Sequence, residues 1–279
     1  MTLTAINRYS VKSCRGQGLM SAEVEPWGLA GDRRWMIVDA AGGPVTAREH
    51  PQLVLVRPQL TPDGLVLSAP DADEIVVPVP DGRDLVDVNV WRGPFPAALA
   101  QAGHDWFSKV VGETVRLVYL DDPTRRATNP LYSRDCDRVS FADGYPLSLA
   151  TEESVAAVND LVAAGPHAYE APLAMARFRP SIVVRGAPPW AEDAWRRVRV
   201  GAAVFRVAKG CDRCVMTLID PETAVRGKEP IATLARHRKW DGKTWFALSL
   251  IPDGAGATIT VGDDVEILES VEYADGPPR

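Results

Sequence analysis

Short runs rich in valine, isoleucine and leucine, each closed by a turn signal, constrain the fold of this chain most strongly. The first third contains such runs at residues 3–9, 34–38, 53–60, 65–67 and 75–79. Segments such as 41–44 (AGGP), 62–64 (PDG) and 80–82 (PDG) separate them. Short strands at close spacing are typical of a sheet sandwich or barrel. We therefore predict that the chain begins with a β-barrel-like domain.

The remainder of the chain alternates between predicted strands and three helical stretches. We expect strands at 84–91, 181–185, 196–200, 203–208 and 215–219, a closing strand or pair at 258–268, and helices at 97–111, 155–164 and 231–238. Thr151 precedes the second helix as a candidate N-cap. Residues 121–138 are polar and lack apolar periodicity, as in a linker or crossover. The expected fold is mainly β with a few helices (α+β), divided into domains 1–120 and 139–275 with the linker 121–138 between them.

Composition excludes several classes of protein. Hydrophobic residues make up 46% of the 279 residues and charged residues 24%, as in an ordinary globular protein. A net charge of -6 gives no support for nucleic-acid binding or an anionic membrane surface. Residues 1–20 lack a signal-peptide core, and no apolar stretch has the length of a membrane span. Four cysteines are too few for a disulfide scaffold, so we expect a cytoplasmic protein with reduced thiols.

Two cysteines three residues apart, Cys211 and Cys214, form the most reactive motif in the sequence. They enclose Arg213, whose charge would lower a thiol pKa. Such thiols can bind a metal, attack an electrophile or exchange disulfides, and they can equally be two buried thiols in a turn. Zinc normally needs further Cys or His ligands, and the four histidines show no ligand spacing. The spacing alone leaves these alternatives open.

Cationic and hydroxyl residues recur at separate places in the chain. Lys12 and Ser13 follow the first predicted strand, and Arg33, Arg48 and Arg179 each lie beside small polar residues. Guanidinium groups match phosphate and other oxyanions bidentately, so convergence of these loops would form an anion site. Taken alone, any one cluster is better explained by local ion pairs, Arg33 or Arg34 with Asp32 and Arg48 with Glu49.

The order of these motifs resembles the MOSC family (molybdenum cofactor sulfurase C-terminal domain), in the branch with an N-terminal β-barrel domain. The branch includes the mitochondrial amidoxime-reducing component and its bacterial relatives. The resemblance runs from residue 9 through nearly the whole chain. Its markers are segments 9–14 (YSVKSC), 31–36 (GDRRWM), 46–48 (TAR), 141–143 (FAD), 177–180 (RFRP), 191–193 (AED), 211–214 (CDRC), 220–221 (DP) and 228–230 (KEP).

The resemblance implies a molybdenum cofactor, a phosphate-bearing pterin dithiolene (Mo-molybdopterin), held between the two domains. It places the protein ligand to molybdenum on Cys214, and Cys211 is expected to be a packing residue. A soft thiolate suits a soft metal. The expected cofactor-binding residues are Lys12, Ser13, Arg33, Arg48, Thr151, Arg179, Ser181, Asp212, Arg213 and Cys214. The chain departs from its relatives at Ala247, where they carry glycine.

The resemblance further implies an enzyme, a molybdenum-dependent reductase of N-hydroxylated compounds such as amidoximes, N-hydroxylamines and N-hydroxylated base analogues. Oxygen would pass from the substrate to the Cys214-ligated molybdenum. A separate iron–sulfur, flavin or cytochrome-type protein is expected to donate the electrons. The alternative is a cofactor carrier or sulfur-transfer protein without reductase activity, because the same residues would serve it.

Overall fold

The computed structural model describes residues 1–272 and 274–279, and the described chain is mainly β. Its strands are β1 (Thr2–Arg8), β2 (Gln17–Leu19), β3 (Ser21–Glu25), β4 (Gly28–Leu29), β5 (Trp35–Val38), β6 (Arg57–Thr61), β7 (Gly64–Ala69), β8 (Ala72–Pro78), β9 (Leu85–Asn89), β10 (Pro94–Leu99), β11 (Arg116–Tyr119), β12 (Leu147–Thr151), β13 (Ile182–Arg185), β14 (Trp195–Val200), β15 (Ala203–Asp212), β16 (Lys239–Trp240), β17 (Lys243–Pro252), β18 (Thr258–Thr260) and β19 (Val265–Ser270). The α-helices are α1 (His104–Val111), α2 (Glu152–Ala163) and α3 (Ile231–His237). This confirms the prediction of a mainly β chain with a few helices.

A nine-stranded sheet joins the two ends of the chain. Its order is β19-β14-β15-β17-β12-β13-β1-β2, with β16 paired to β17. Strand β1 runs antiparallel to β13, with Ile6 opposite Ile182. The turn after β1 therefore lies near the turn before β13. The side-chain amide of Asn7 donates a hydrogen bond to the Pro180 carbonyl oxygen, 173 residues further along the chain. This pairing brings the Lys12 and Arg179 segments together.

Smaller sheets complete the fold. They have the orders β5-β11-β10-β9, β6-β7-β8 and β18-β3-β4. Leu3, Ile6, Leu149 and Leu248 of the large sheet share one buried cluster with Ile259 of β18. Trp35, Leu53 and Phe107 anchor a second cluster in the N-terminal half. The domain boundaries at 120 and 139 stay a prediction.

Three predicted elements were wrong in type or extent. Residues 215–219 form the 3₁₀ turn Val215–Leu218, because the amide and hydroxyl of Thr217 both donate to the Cys214 carbonyl. Residues 97–111 divide into β10 and α1, since the β10 residues pair with both β9 and β11. The run 53–60 likewise divides into the 3₁₀ turn Pro51–Leu55 and β6. A short apolar run does not distinguish strand from helix without its tertiary partners.

Helix α2 confirms the predicted N-cap. Thr151 has extended backbone angles, and its hydroxyl accepts a hydrogen bond from the Ser154 amide. Glu152 and Glu153 occupy the first turn, where negative charge favours the helix dipole. None of the described helices is long and apolar enough to cross a membrane.

Candidate functional site

Lys12 and Ser13 lie in the turn that follows β1. The Lys12 amide donates to the Trp35 carbonyl oxygen at 2.8 Å, which fixes this turn against β5. The Lys12 side chain is buried, and its Nζ donates to the Phe141 carbonyl oxygen at 2.7 Å and to Asp143 Oδ1 at 2.5 Å. Burial lowers the pKa of Lys12 to about 8, although Asp143 opposes the shift.

Asp143 joins Lys12 to Arg48. Its Oδ2 accepts a hydrogen bond from Arg48 Nη2 at 2.8 Å. Burial would raise the pKa of Asp143, but the charges of Lys12 and Arg48 outweigh burial and hold this pKa well below its ordinary value. The local pairing of Arg48 with Glu49 does not form among the described residues, since Glu49 accepts from Thr46 instead. Tertiary contacts, and not sequence neighbours, pair these cations.

Tyr9 lies between two arginines of the predicted site. The guanidinium carbons of Arg33 and Arg179 lie 4.6 and 4.2 Å from the centroid of its ring. Arg33 also pairs with Asp32 at 2.5 Å, as one of the local alternatives predicted. Burial and the neighbouring Arg33 charge lower the pKa of Arg179 to about 10. Arg179 forms no ion pair with a carboxylate in the described part of the chain, which leaves its charge available for an anion.

Three of the predicted cofactor-binding residues have left-handed backbone angles. The φ values are 71° for Ser13, 48° for Arg33 and 51° for Arg179. Each such residue other than glycine costs roughly 1–2 kcal/mol. Backbone strain of this kind clusters at functional sites. The three turns are therefore held in shape by their surroundings.

The two cysteines of the motif have different environments. Cys211 lies in β15, packs against the cluster around Phe246, and its Sγ is 3.2 Å from Ser249 Oγ. Cys214 is exposed and precedes the 3₁₀ turn Val215–Leu218. The different roles predicted for the two thiols stay a prediction.

Arg48 links Cys214 to the cationic group. Burial would lower the pKa of Arg48, but Asp143 and the Cys214 thiol outweigh burial and raise it. The structure thus brings Cys214 to Arg48, and Asp143 joins Arg48 to Lys12.

Arg213 connects the cysteine motif to the Arg179 turn. Its Nη2 donates to the Phe178 carbonyl oxygen at 2.6 Å, and its amide donates to the Thr244 carbonyl oxygen at 2.8 Å. Its Nε is buried and has no hydrogen-bond partner among the described residues. A buried donor without a partner is costly, so this atom is suited to an acceptor from a ligand.

Three of the predicted site residues use their side chains elsewhere. Thr151 caps α2, and the buried Ser181 hydroxyl accepts from the Ser148 amide at 3.3 Å. Asp212 pairs with Lys209 at 2.7 Å and with Lys243 at 3.3 Å. Within the described residues, these three side chains form no hydrogen bond or ion pair with the Lys12, Arg33 and Arg179 group.

A cavity of about 620 Å³ adjoins Tyr9 and Arg179. These two residues form one part of its wall, and Met175, Val155 and Met216 give it an apolar lining. Lys12, Arg33 and Cys214, which are also predicted to bind the cofactor, do not line this cavity. The Lys12 and Arg33 side chains pair instead with Asp143 and Asp32.

Two family models match separate parts of the chain. Residues 1–114 match the MOSC N-terminal beta barrel domain, and residues 137–266 match the MOSC domain. The mitochondrial amidoxime-reducing component 1 of Xenopus laevis is 31% identical over 84% of this chain and 70% of its own length. The corresponding Homo sapiens protein is 30% identical over 93% of this chain and 81% of its own length.

The chain belongs to the MOSC family. The molybdenum cofactor sulfurase of Oryza sativa subsp. japonica is a further relative, 29% identical over 92% of this chain and 34% of its own length. The names of these relatives associate the MOSC family with the molybdenum cofactor and suggest a reductase, which agrees with the expectation from the motifs.

The MOSC site also contains residues whose roles were missed by sequence reasoning. Asp143 was noted only as part of a family marker, and Tyr9 only as the start of another. The role of Asp143 had no signal in the sequence, because its side chain is half exposed and its partners Lys12 and Arg48 lie 131 and 95 residues away. Trp91, which donates to Asp143 Oδ1 at 3.4 Å, gave no signal in the sequence beyond its residue type.

Proposed function

We propose that this MOSC protein is a molybdenum-cofactor-dependent reductase of N-hydroxylated compounds. The observation that carries the proposal is the exposed Cys214 thiol beside Arg48, at the meeting point of the Lys12, Arg48 and Arg213 segments. Relatives named for amidoxime reduction align over both domains, which supports the same reaction class here.

The residues present fit an anionic, metal-bearing cofactor. The unpartnered Arg213 Nε and the charge of Arg179, without a carboxylate partner among the described residues, would both be satisfied by phosphate or pterin acceptors. Thiolate sulfur is a ligand that soft transition metals accept. The cavity beside Tyr9 and Arg179 provides space next to the Arg179 guanidinium.

We assign Lys12, Ser13, Arg33, Arg179 and Arg213 to holding the cofactor and Cys214 to ligating its metal. Asp143 would hold the Arg48 and Lys12 side chains in place beside these residues. Thr151, Ser181 and Asp212 remain proposed contacts, and the bonds that they make in this structure would have to rearrange.

When bound, the cofactor supplies the redox couple that removes the oxygen of an N–OH group. The overall balance is two electrons and two protons for each oxygen released as water, with the electrons coming from a separate donor protein. The chain itself would bind and orient the cofactor and the substrate and exclude water from the reacting atoms. An exposed Cys214 is consistent with access for both the substrate and the donor.

Benzamidoxime reduction tests the proposal. Purified protein loaded with molybdenum cofactor, confirmed by metal analysis and by fluorescence of the oxidised pterin, is incubated with benzamidoxime and an artificial reductant. Formation of benzamidine is the expected result. No benzamidine from fully loaded protein, under conditions where a related amidoxime-reducing component is active, would overturn the reductase assignment.

Similarity to a cofactor sulfurase favours one alternative, a sulfur-transfer or carrier role. It would use the same exposed Cys214. Treatment with a sulfur donor followed by mass spectrometry distinguishes the two functions. A stable persulfide on Cys214, together with no retained metal and no benzamidine formation, would support the alternative.

A further inference from the structure

Trp91 is a large aromatic residue left exposed at the candidate site. It lies in the turn between β9 and β10, and 62% of its surface is exposed. Its Nε1 donates to Asp143 Oδ1 at 3.4 Å. The guanidinium carbon of Arg48 lies 5.5 Å from its ring centroid. Trp91 is therefore next to both residues that connect Lys12 with Cys214.

The backbone of this turn presents Trp91 in a fixed position. The φ of Trp91 is 66°, an uncommon angle for a bulky residue, and an observed outlier of this kind is a reason to look for a function. The residues on both sides are tethered: the buried Val90 carbonyl accepts from Arg126 Nη2 at 3.4 Å, and Arg92 Nη1 donates to the Thr128 carbonyl at 3.1 Å.

The chemistry of the ring defines what it can bind. Indole offers a broad π face for an offset stack with a planar group, and its Nε1 end is already occupied by Asp143. The Arg48 guanidinium lies over one region of the ring, and the Cys214 thiol is among the groups that raise the pKa of Arg48. A planar molecule stacked on the exposed face would therefore lie beside Arg48 and Asp143. An aliphatic molecule of the same functional group would have nothing to stack.

We propose that Trp91 is a positioning residue that stacks the planar body of an aromatic or heteroaromatic N-hydroxylated substrate beside Cys214. The inference rests on the proposed reductase function and makes it more specific. Trp91 selects flat conjugated substrates over small aliphatic ones and acts through binding. It takes no part in the chemical step.

The test compares Trp91→Ala with wild type and with Met20→Ala, which removes another large exposed apolar side chain, 71% exposed, in the turn between β2 and β3. An aromatic stack of ordinary strength predicts a roughly 3- to 10-fold higher KM for benzamidoxime in Trp91→Ala. The kcat for benzamidoxime, and the kcat and KM for acetamidoxime, should stay within about 2-fold of the wild-type values, because none of them depends on the stack. The KM of Trp91→Phe for benzamidoxime should lie close to the wild-type value, because phenylalanine keeps an aromatic face.

Binding without turnover provides a second readout. Titration of benzamidoxime into oxidised protein by calorimetry, in the absence of reductant, should show the same 3- to 10-fold weakening in Trp91→Ala and none in Met20→Ala. Equal KM and binding constants in the three proteins would overturn the role of Trp91. If Trp91→Ala is less active with a protein electron donor but not with the artificial reductant, the stacking role is also wrong. That result would assign Trp91 to the surface that docks the donor.

These outcomes separate the two proposals. If wild-type loaded protein forms no benzamidine, the reductase function fails. If wild type is active and Trp91→Ala behaves as Met20→Ala does, the reductase function stands and the stacking role alone is wrong.

Discussion

At the residue scale, the site depends on charges that are matched by distant partners. Asp143 satisfies Lys12 and Arg48 together, across 131 and 95 residues of sequence. Arg33 and Arg179 share the faces of Tyr9, and both keep left-handed backbone angles. Cation–π contacts of this kind contribute about 0.5–2 kcal/mol each, depending on their exposure. The exposed Cys214 is the one thiol of its motif that solvent or a ligand reaches readily.

Substitution of the two cysteines should separate their roles. Cys214→Ser should lose most of the bound molybdenum and the benzamidoxime reductase activity, because serine is a poor ligand for a soft metal. Cys211→Ser should retain the metal, with a loss of stability of about 1 kcal/mol from replacing a packed thiol by a hydroxyl. Metal analysis, turnover and thermal unfolding measure these effects. Equal metal loss in both variants would show that the motif has been misassigned.

At the element scale, a short 3₁₀ turn connects two helices through buried acids. Within Ala191–Ala194, Glu192 Oε2 accepts from Ser154 Oγ of α2 at 2.9 Å. Its neighbour Asp193 makes a two-pronged ion pair with Arg238, at the end of α3, at 2.7 and 2.8 Å. Burial, partly opposed by the Ser154 hydrogen bond, raises the pKa of Glu192 to about 7. The ordinary value for this carboxyl is 4.5.

The raised Glu192 pKa predicts a pH-dependent difference in stability. Between about pH 4.5 and 7 the folded protein keeps the Glu192 proton and the unfolded chain does not. Wild type should therefore lose stability relative to Glu192→Gln as the pH rises through this window, by at most about 1.4 kcal/mol per pH unit, with no further change above it. The unfolding free energy measured by denaturant titration tests this, with the exposed Glu269→Gln as control. Parallel pH curves for wild type and Glu192→Gln would contradict it.

At the scale of the whole molecule, the site is assembled by the pairing of β1 with β13. This contact carries the Tyr9–Ser13 turn to the Arg179 turn, and β15 delivers Cys214 from the same sheet. Burial, and to a smaller extent the Arg33 charge, lower the pKa of Arg179, so its positive charge is disfavoured in this position. A bound anion would offset this repulsion and stabilise the fold by mass action.

Anion dependence of stability tests this assembly in cofactor-free protein. Without an added anion, Arg179→Gln should unfold at or near the wild-type temperature, because the lost Tyr9 stack is offset by relief from the Arg33 charge. Inorganic pyrophosphate should raise the wild-type Tm clearly and the Arg179→Gln Tm much less. The exposed Arg83→Gln serves as the control and should respond as wild type does. Equal increases in all three proteins would exclude Arg179 from the anion site.

The sequence by itself determined the mainly β character, the N-cap of α2, the family and the types of residue at the site. These are local properties: apolar runs, turn residues, capping groups and the order of short motifs. It assigned 215–219 to a strand, where hydrogen bonds onto the Cys214 carbonyl form a 3₁₀ turn. It also assigned part of 97–111 to a helix, where pairing with β9 and β11 forms β10, because pairing between strands overrides local preference.

Only the tertiary structure decided how the site residues are partnered. Asp143 lies between Lys12 and Arg48, Tyr9 lies between two arginines, and Trp91 stands exposed beside them. The physical reason is range: an ion pair or a stack depends on distances of a few ångströms in space, and these partners are separated by tens to more than a hundred residues along the chain. Composition and spacing fix which groups are available, and the fold selects which of them meet.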